Sequence, residues 1–172
     1  MNFIETIKEK AKKDLKTIVL PEAEDIRTLK AVEIINKERF AKTILIGKPD
    51  EVKKMIEENG IDIGDTLIIN PETSKKKEEF ANTLFELRKE KGMTKEEAEK
   101  LVLNSIYYGV MMVKLNLADG LVSGACHSTA DTLRPALQII KTKPRNKTCI
   151  CICSNGCSKL WFRRTWIILF CR

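Results

Sequence analysis

The sequence predicts an α/β domain built on a mainly parallel sheet. Two observations carry that reading. Short, continuous apolar runs rich in β-branched residues recur along the chain, as strands buried on both faces require. Between them lie longer segments with helical spacing of apolar residues, so strands and helices alternate and right-handed crossovers are the economical connection. At 172 residues the chain suits one domain with a sizeable core.

The elements follow in order. Residues 2–14 read as an amphipathic helix with Phe3, Ile4, Ile7 and Ala11 on one face. Thr17–Leu20 is a strand stopped by Pro21, and Glu22–Phe40 regains helical period through Ile26, Leu29, Val32 and Ile35. Thr43–Ile46 is a second strand, followed by a helix over Pro49–Asn59 with Gly60 as its stop. A third strand spans Thr66–Ile69. Ser74–Glu90 is a charged helix ended by Gly92, and Thr94-Lys95-Glu96-Glu97 has the pattern of a capping box opening the next helix. Tyr107–Lys114 is helical, Ala118–Ala125 is a buried strand, and Leu133–Ile140 is a helix with Leu133, Leu137 and Ile140 in register.

The candidate site is the turn between those last two elements. A strand, a turn carrying Ser128, Thr129 and Asp131, and a helix start together make an anion cradle, because unpaired N–H groups and the helix dipole both favour negative charge there. Arg134 would add a forked cation. The plainer reading is that the same side chains only cap the helix. Pro21-Glu22-Ala23-Glu24-Asp25 closes the first strand, where paired acids could hold metal or move protons. We read them instead as helix N-terminal acids that complement the dipole. Arg88 is by pattern one charge on a solvated helix face. Cys126-His127 invites a nucleophile–base reading, but neighbours leaving a strand point to opposite faces and no third orienting group is evident.

Ser123-Gly-Ala-Cys-His-Ser-Thr-Ala-Asp-Thr-Leu-Arg-Pro-Ala-Leu-Gln-Ile-Ile-Lys-Thr142 resembles the signature of the phosphate acetyltransferases and phosphate butyryltransferases. Lys16–Ala31, Leu87–Thr94 and Tyr108–Lys114 resemble further stretches of that family, in its order and spacing. The resemblance implies a three-layer α/β/α domain of the isocitrate/isopropylmalate-dehydrogenase type, incomplete here because a second domain is expected beyond it. It implies reversible transfer of an acetyl group between coenzyme A and orthophosphate, part of acetate metabolism, in which the deprotonated thiol attacks the acyl phosphate directly. It aligns Arg88 and Arg134 with arginines that bind coenzyme A or its phosphates, with Ser128 and Thr129 in the same cleft. The catalytic serine–arginine pair and general-base aspartate belong to the later part, so the fragment is expected to be inactive alone. No metal or separate cofactor is implied, coenzyme A being a substrate. The partners implied are small molecules and, for the complete enzyme, a second copy in a homodimer.

Charge and cysteines mark a boundary near Lys147. Residues 148–172 contain Lys159, Arg163, Arg164 and Arg172 and no acid, while the rest holds 27 basic against 24 acidic residues. The net charge of +7 therefore does not call for nucleic acid, and suits a polyanionic small substrate. Five of the six cysteines and both tryptophans also follow residue 148. We expect residues 1–147 to form the amino-terminal α/β domain and 148–172 to be an irregular tail. A C-x-C-x-C metal tract and an aromatic–basic membrane anchor are two readings of it. A displaced reading frame is the third. Dropping one base from permitted codons after Lys147 yields an alternating strand and a Pro-Asn turn, and forces glycine at both tryptophans. No leader and no membrane-spanning stretch precede residue 148, so a cytoplasmic location is the expectation.

Overall fold

The computed structural model describes residues 3–141 and the backbone of residues 167–170. Thr17–Leu20 forms β1, the middle strand of the sheet. Lys42–Ile46 (β2) pairs parallel to one side of it, with Val19 opposite Ile44 and Leu20 opposite Leu45. Leu67–Ile69 (β3) extends that side, with Ile44 opposite Leu67. Gly120–Ser123 (β4) pairs parallel on the other flank of β1, and Ile167–Phe170 (β5) adds an antiparallel edge strand beyond it. The strand order is β3-β2-β1-β4-β5. The chain leaves β1 toward β2 and later returns past it to β4, so the order reverses between β1 and β4. In open parallel sheets ligands bind at the carboxyl ends of the strands at such a switch point.

Alternate residues of the strands feed two separate cores, which makes the domain three-layered. Leu20 and Leu45 face one side and pack with Leu29 and Val32 of α2 (Ile26–Glu38) and Val52 of α3 (Pro49–Asn59). Val19, Ile46 and Leu121 face the other, against Phe80 and Leu84 of α4 (Lys77–Arg88), Ala98 and Val102 of α5 (Lys95–Val102), Met111 of α6 (Ser105–Lys114) and Ile139 of α7 (Thr129–Ile139). Each large side chain fully buried this way contributes roughly 1.5–3 kcal/mol. Gly109 lets α6 press against the sheet: a Cβ there would lie 2.6 Å from Leu121 Cδ1 and 3.1 Å from Val19 Cγ1. The Phe80 and Tyr108 rings meet at 4.8 Å, and the Tyr108 hydroxyl reaches Ser74 Oγ at 2.5 Å.

The local stops and starts obey cap chemistry. Gly60 and Gly92 end their segments at φ of 60° and 83°. Thr94 and Glu97 complete the capping box. α2 begins at Ile26 rather than Glu22, because Asp25 is its N-cap and accepts the Arg27 N–H at 2.8 Å. The first helix, α1 (Phe3–Lys13), has no buried residue: Phe3 is 76% exposed, and Lys8 ties the helix on through Glu38 and the Phe40 ring. The boundary expected near Lys147, and all of the following stretch except the backbone of β5, lie outside the described residues.

Candidate functional site

Two loops meet at the carboxyl ends of β1 and β4. One is Pro21–Asp25; the other is Gly124–Ser128, which Gly124 turns away from the strand at φ 127°. Glu22 leaves the first loop and fills the concave side of the second. Its Oε2 accepts the N–H groups of Gly124 and Ala125 at 2.9 and 2.8 Å, and its Oε1 accepts those of Cys126 and His127, both at 2.9 Å. The His127 ring closes the set, Nδ1 lying 2.9 Å from Oε1. The residue is 1% exposed. The loop just before the predicted cradle thus holds an anion of the protein itself. This corrects the reading of Glu22 as a helix N-terminal acid: only Asp25 serves α2 in that way.

Burial raises the energy of the Glu22 carboxylate, but the His127 bond and the backbone donors outweigh it and bring its pKa down to about 2. The same contact raises the pKa of His127. Arg27 links the two loops, its guanidinium donating to the Ala125 carbonyl at 2.8 Å and to both oxygens of Asp25. Asp25 is correspondingly held far below the usual carboxylate range.

Cys126 and His127 diverge, as their adjacency suggested. The thiol donates to Asp25 Oδ2 at 3.3 Å, whereas the imidazole faces Glu22. Local desolvation and the Asp25 carboxylate push the thiol up to about 11, although the residue as a whole is exposed. A thiol so disfavoured as thiolate is a poor nucleophile at neutral pH. Among the described residues no group of three His, Cys, Asp or Glu side chains is arranged to hold a metal ion.

Ser128 is the N-cap of α7: its Oγ accepts the Asp131 N–H at 3.2 Å and donates to Asp131 Oδ2 at 2.6 Å. Thr129 opens the helix and is exposed. Arg134, one and a half turns on, is exposed as well. Arg88 ends α4, which packs on α6 and α7. Both arginines lie within electrostatic reach of one hydroxyl, that of Tyr107. Burial raises the pKa of this phenol, and Arg134 and Arg88 oppose the rise. The hydroxyl donates to Gln138 Oε1 at 2.8 Å. Arg88 Nε is buried and has no hydrogen-bond partner among the described residues. Two guanidinium groups near one phenol, one with a desolvated and unused donor, suit a phosphate group that forks onto them.

Sequence reasoning paired Arg88 with Arg134 only through resemblance, and it missed Tyr107 and Gln138. Helical spacing does put Arg134 and Gln138 on one face of α7. Nothing local marks Tyr107 or the reach of Glu22.

The family model described as phosphate acetyl/butaryl transferase matches residues 2–164. A phosphate acetyltransferase of Acetivibrio thermocellus is 52% identical over 147 residues, covering 86% of this chain and 44% of that protein. The EutD phosphotransacetylase of Staphylococcus aureus superposes with a TM-score of 0.77 at 42% identity, and a phosphotransacetylase of Streptococcus pyogenes with 0.78 at 41%. Each superposition covers 84% of this chain and 44% of the solved one. The chain therefore spans under half the length of the relatives it matches.

Proposed function

This chain belongs to the phosphate acetyl/butaryl transferase family, and on that premise we propose that it is the amino-terminal part of a phosphate acetyltransferase, supplying the coenzyme A-phosphate side of the cleft. The complete reaction is acetyl-CoA plus orthophosphate giving acetyl phosphate plus CoA. What supports the reading is that Arg88 and Arg134 both act electrostatically on the Tyr107 phenol, and that Arg88 Nε is buried with no hydrogen-bond partner among the described residues. In this reading Arg88 and Arg134 fork onto phosphate oxygens of coenzyme A. Thr129 lines the same side, and Ser128 keeps α7 in place by capping it. Coenzyme A enters as a substrate, and no resident cofactor or metal is required. Acetyl rather than butyryl transfer is favoured because the relatives compared above carry the acetyl or phosphotransacetylase name.

The Glu22 lock has a supporting part. By fixing Gly124–His127 to the end of β1, it sets where α7 begins and hence where Arg134 stands. In this reading the acyl-transfer residues lie in the part of the longer relatives that this chain does not match. From about Thr148 we read the sequence as a displaced frame, on the abrupt rise in cysteine and tryptophan there. Resequencing the gene across that point tests this directly.

The division of labour is tested with the purified 172-residue chain. It should bind coenzyme A saturably and form no acetyl phosphate from acetyl-CoA and orthophosphate. Robust acetyl phosphate formation by the chain alone would contradict it.

A further inference from the structure

We propose that the hydroxyl of Tyr107 is a third donor to the phosphate group that Arg88 and Arg134 take up. Three helices set it there: α6 packs against α7, and α4 packs against both. Tyr107 and Tyr108 follow one another on α6 and meet different neighbours. Tyr108 is 1% exposed, with its ring against Phe80 and its hydroxyl on Ser74. Tyr107 lays its ring against the same core but stays half-buried, and its hydroxyl donates to Gln138 Oε1 at 2.8 Å. Gln138 stands one turn after Arg134 on α7, and helical side chains lean back over the preceding turn. The phenol is thereby held at the face of α7 that carries Arg134. Arg88 ends α4, with its Nε buried and unpartnered among the described residues.

A phenol fixed by its ring can still turn its O–H about the C–O bond, and the proton goes to the better acceptor. Gln138 offers a neutral amide oxygen, whereas a phosphate oxygen is charged and makes the stronger bond. The O–H therefore swings from Gln138 to the phosphate, and no bond to hydrogen breaks. Burial raises the pKa of Tyr107, against the influence of Arg134 and Arg88, so the hydroxyl keeps the proton it donates. Guanidinium groups attract any anion. A hydroxyl held in one place by a packed ring adds direction, and so favours a phosphate whose oxygens reach all three groups. Tyr107 takes this part only if the two arginines form a phosphate site, so the test uses inorganic pyrophosphate beside coenzyme A.

The 172-residue chain and its variants are titrated with inorganic pyrophosphate and, separately, with coenzyme A at fixed ionic strength. Tyr107 and Tyr108 are the only tyrosines, so the ring resonances that Y107F removes report the site directly. Those resonances should shift saturably with ligand. Y107F keeps the packed ring and, with its fold intact by circular dichroism, should weaken each ligand that binds about tenfold. Q138L breaks the same Tyr107–Gln138 bond but leaves the hydroxyl, and should weaken binding only about threefold. Equal losses in Y107F and Q138L would mean that the bond merely ties α6 to α7, and would overturn the proposal. Binding indifferent to Y107F overturns it as well. Pyrophosphate binding that depends on Tyr107, without binding of coenzyme A, supports the proposal and removes the coenzyme A reading instead. Absence of binding by both ligands overturns the two together.

Discussion

Glu22 Oε1 and His127 Nδ1 lie 2.9 Å apart across 105 residues of sequence, and this contact joins the carboxyl end of β1 to the turn that begins α7. The carboxylate also collects four consecutive backbone N–H groups, so the pair behaves as a built-in anion and its cation.

Glu22 ionises well below the ordinary carboxyl value of 4.5, so its contribution to stability is full above that pH and is lost as pH falls toward about 2. His127 holds its proton above the ordinary 6.5, so its contribution is full below 6.5 and is lost as pH rises through the raised value. The pair therefore contributes most between these two ordinary values. Replacement E22Q should cost about 3 kcal/mol in denaturant unfolding near pH 6 and flatten the profile on both sides. Because His127 is the only histidine, its ring resonances report its titration without assignment ambiguity. A profile unchanged by E22Q would contradict the lock.

Cys126 should be slow to alkylate. Its thiol is pushed from an ordinary 9.0 to about 11, which lowers the thiolate fraction at neutral pH about a hundredfold. Removing the neighbouring charge with D25N should speed alkylation, read by peptide mass mapping to separate it from the five cysteines after residue 148. Rapid labelling of the unaltered chain would reopen a nucleophilic role.

Gly109 tests the packing of α6 on the sheet. A Cβ 2.6 Å from Leu121 Cδ1 forces the helix or the leucine to move, so G109A should destabilise by about 1–3 kcal/mol and lower the Tm by several degrees. A neutral result would mean that α6 sits farther from β4 than described.

Much of this architecture was legible in the sequence because its signals are local. Thr17–Leu20, Pro49–Asn59 with Gly60, and the Thr94–Glu97 capping box stand where apolar runs and cap residues put them. The strand expected over Ala118–Ala125 is shorter, Gly120–Ser123. Asp119 pairs with Thr17 through its N–H and its carboxylate, and Gly124 turns the chain away. The helix expected from Leu133 starts at Thr129, since Ser128 rather than the first apolar residue sets its beginning. The carboxylate that ties down the loop before this turn comes from about a hundred residues upstream, a distance no periodicity spans. The shared electrostatic influence of Arg88 and Arg134 on Tyr107 is equally non-local, since it depends on the packing of α4, α6 and α7.

If Arg88 and Arg134 bind the phosphates of coenzyme A, calorimetric titration of coenzyme A into the 172-residue chain will read it. Binding should be saturable and one-to-one, and R88A and R134A should each weaken it about tenfold, with the fold intact by circular dichroism. Absence of binding, or binding equal in the unaltered chain and both variants, would contradict it.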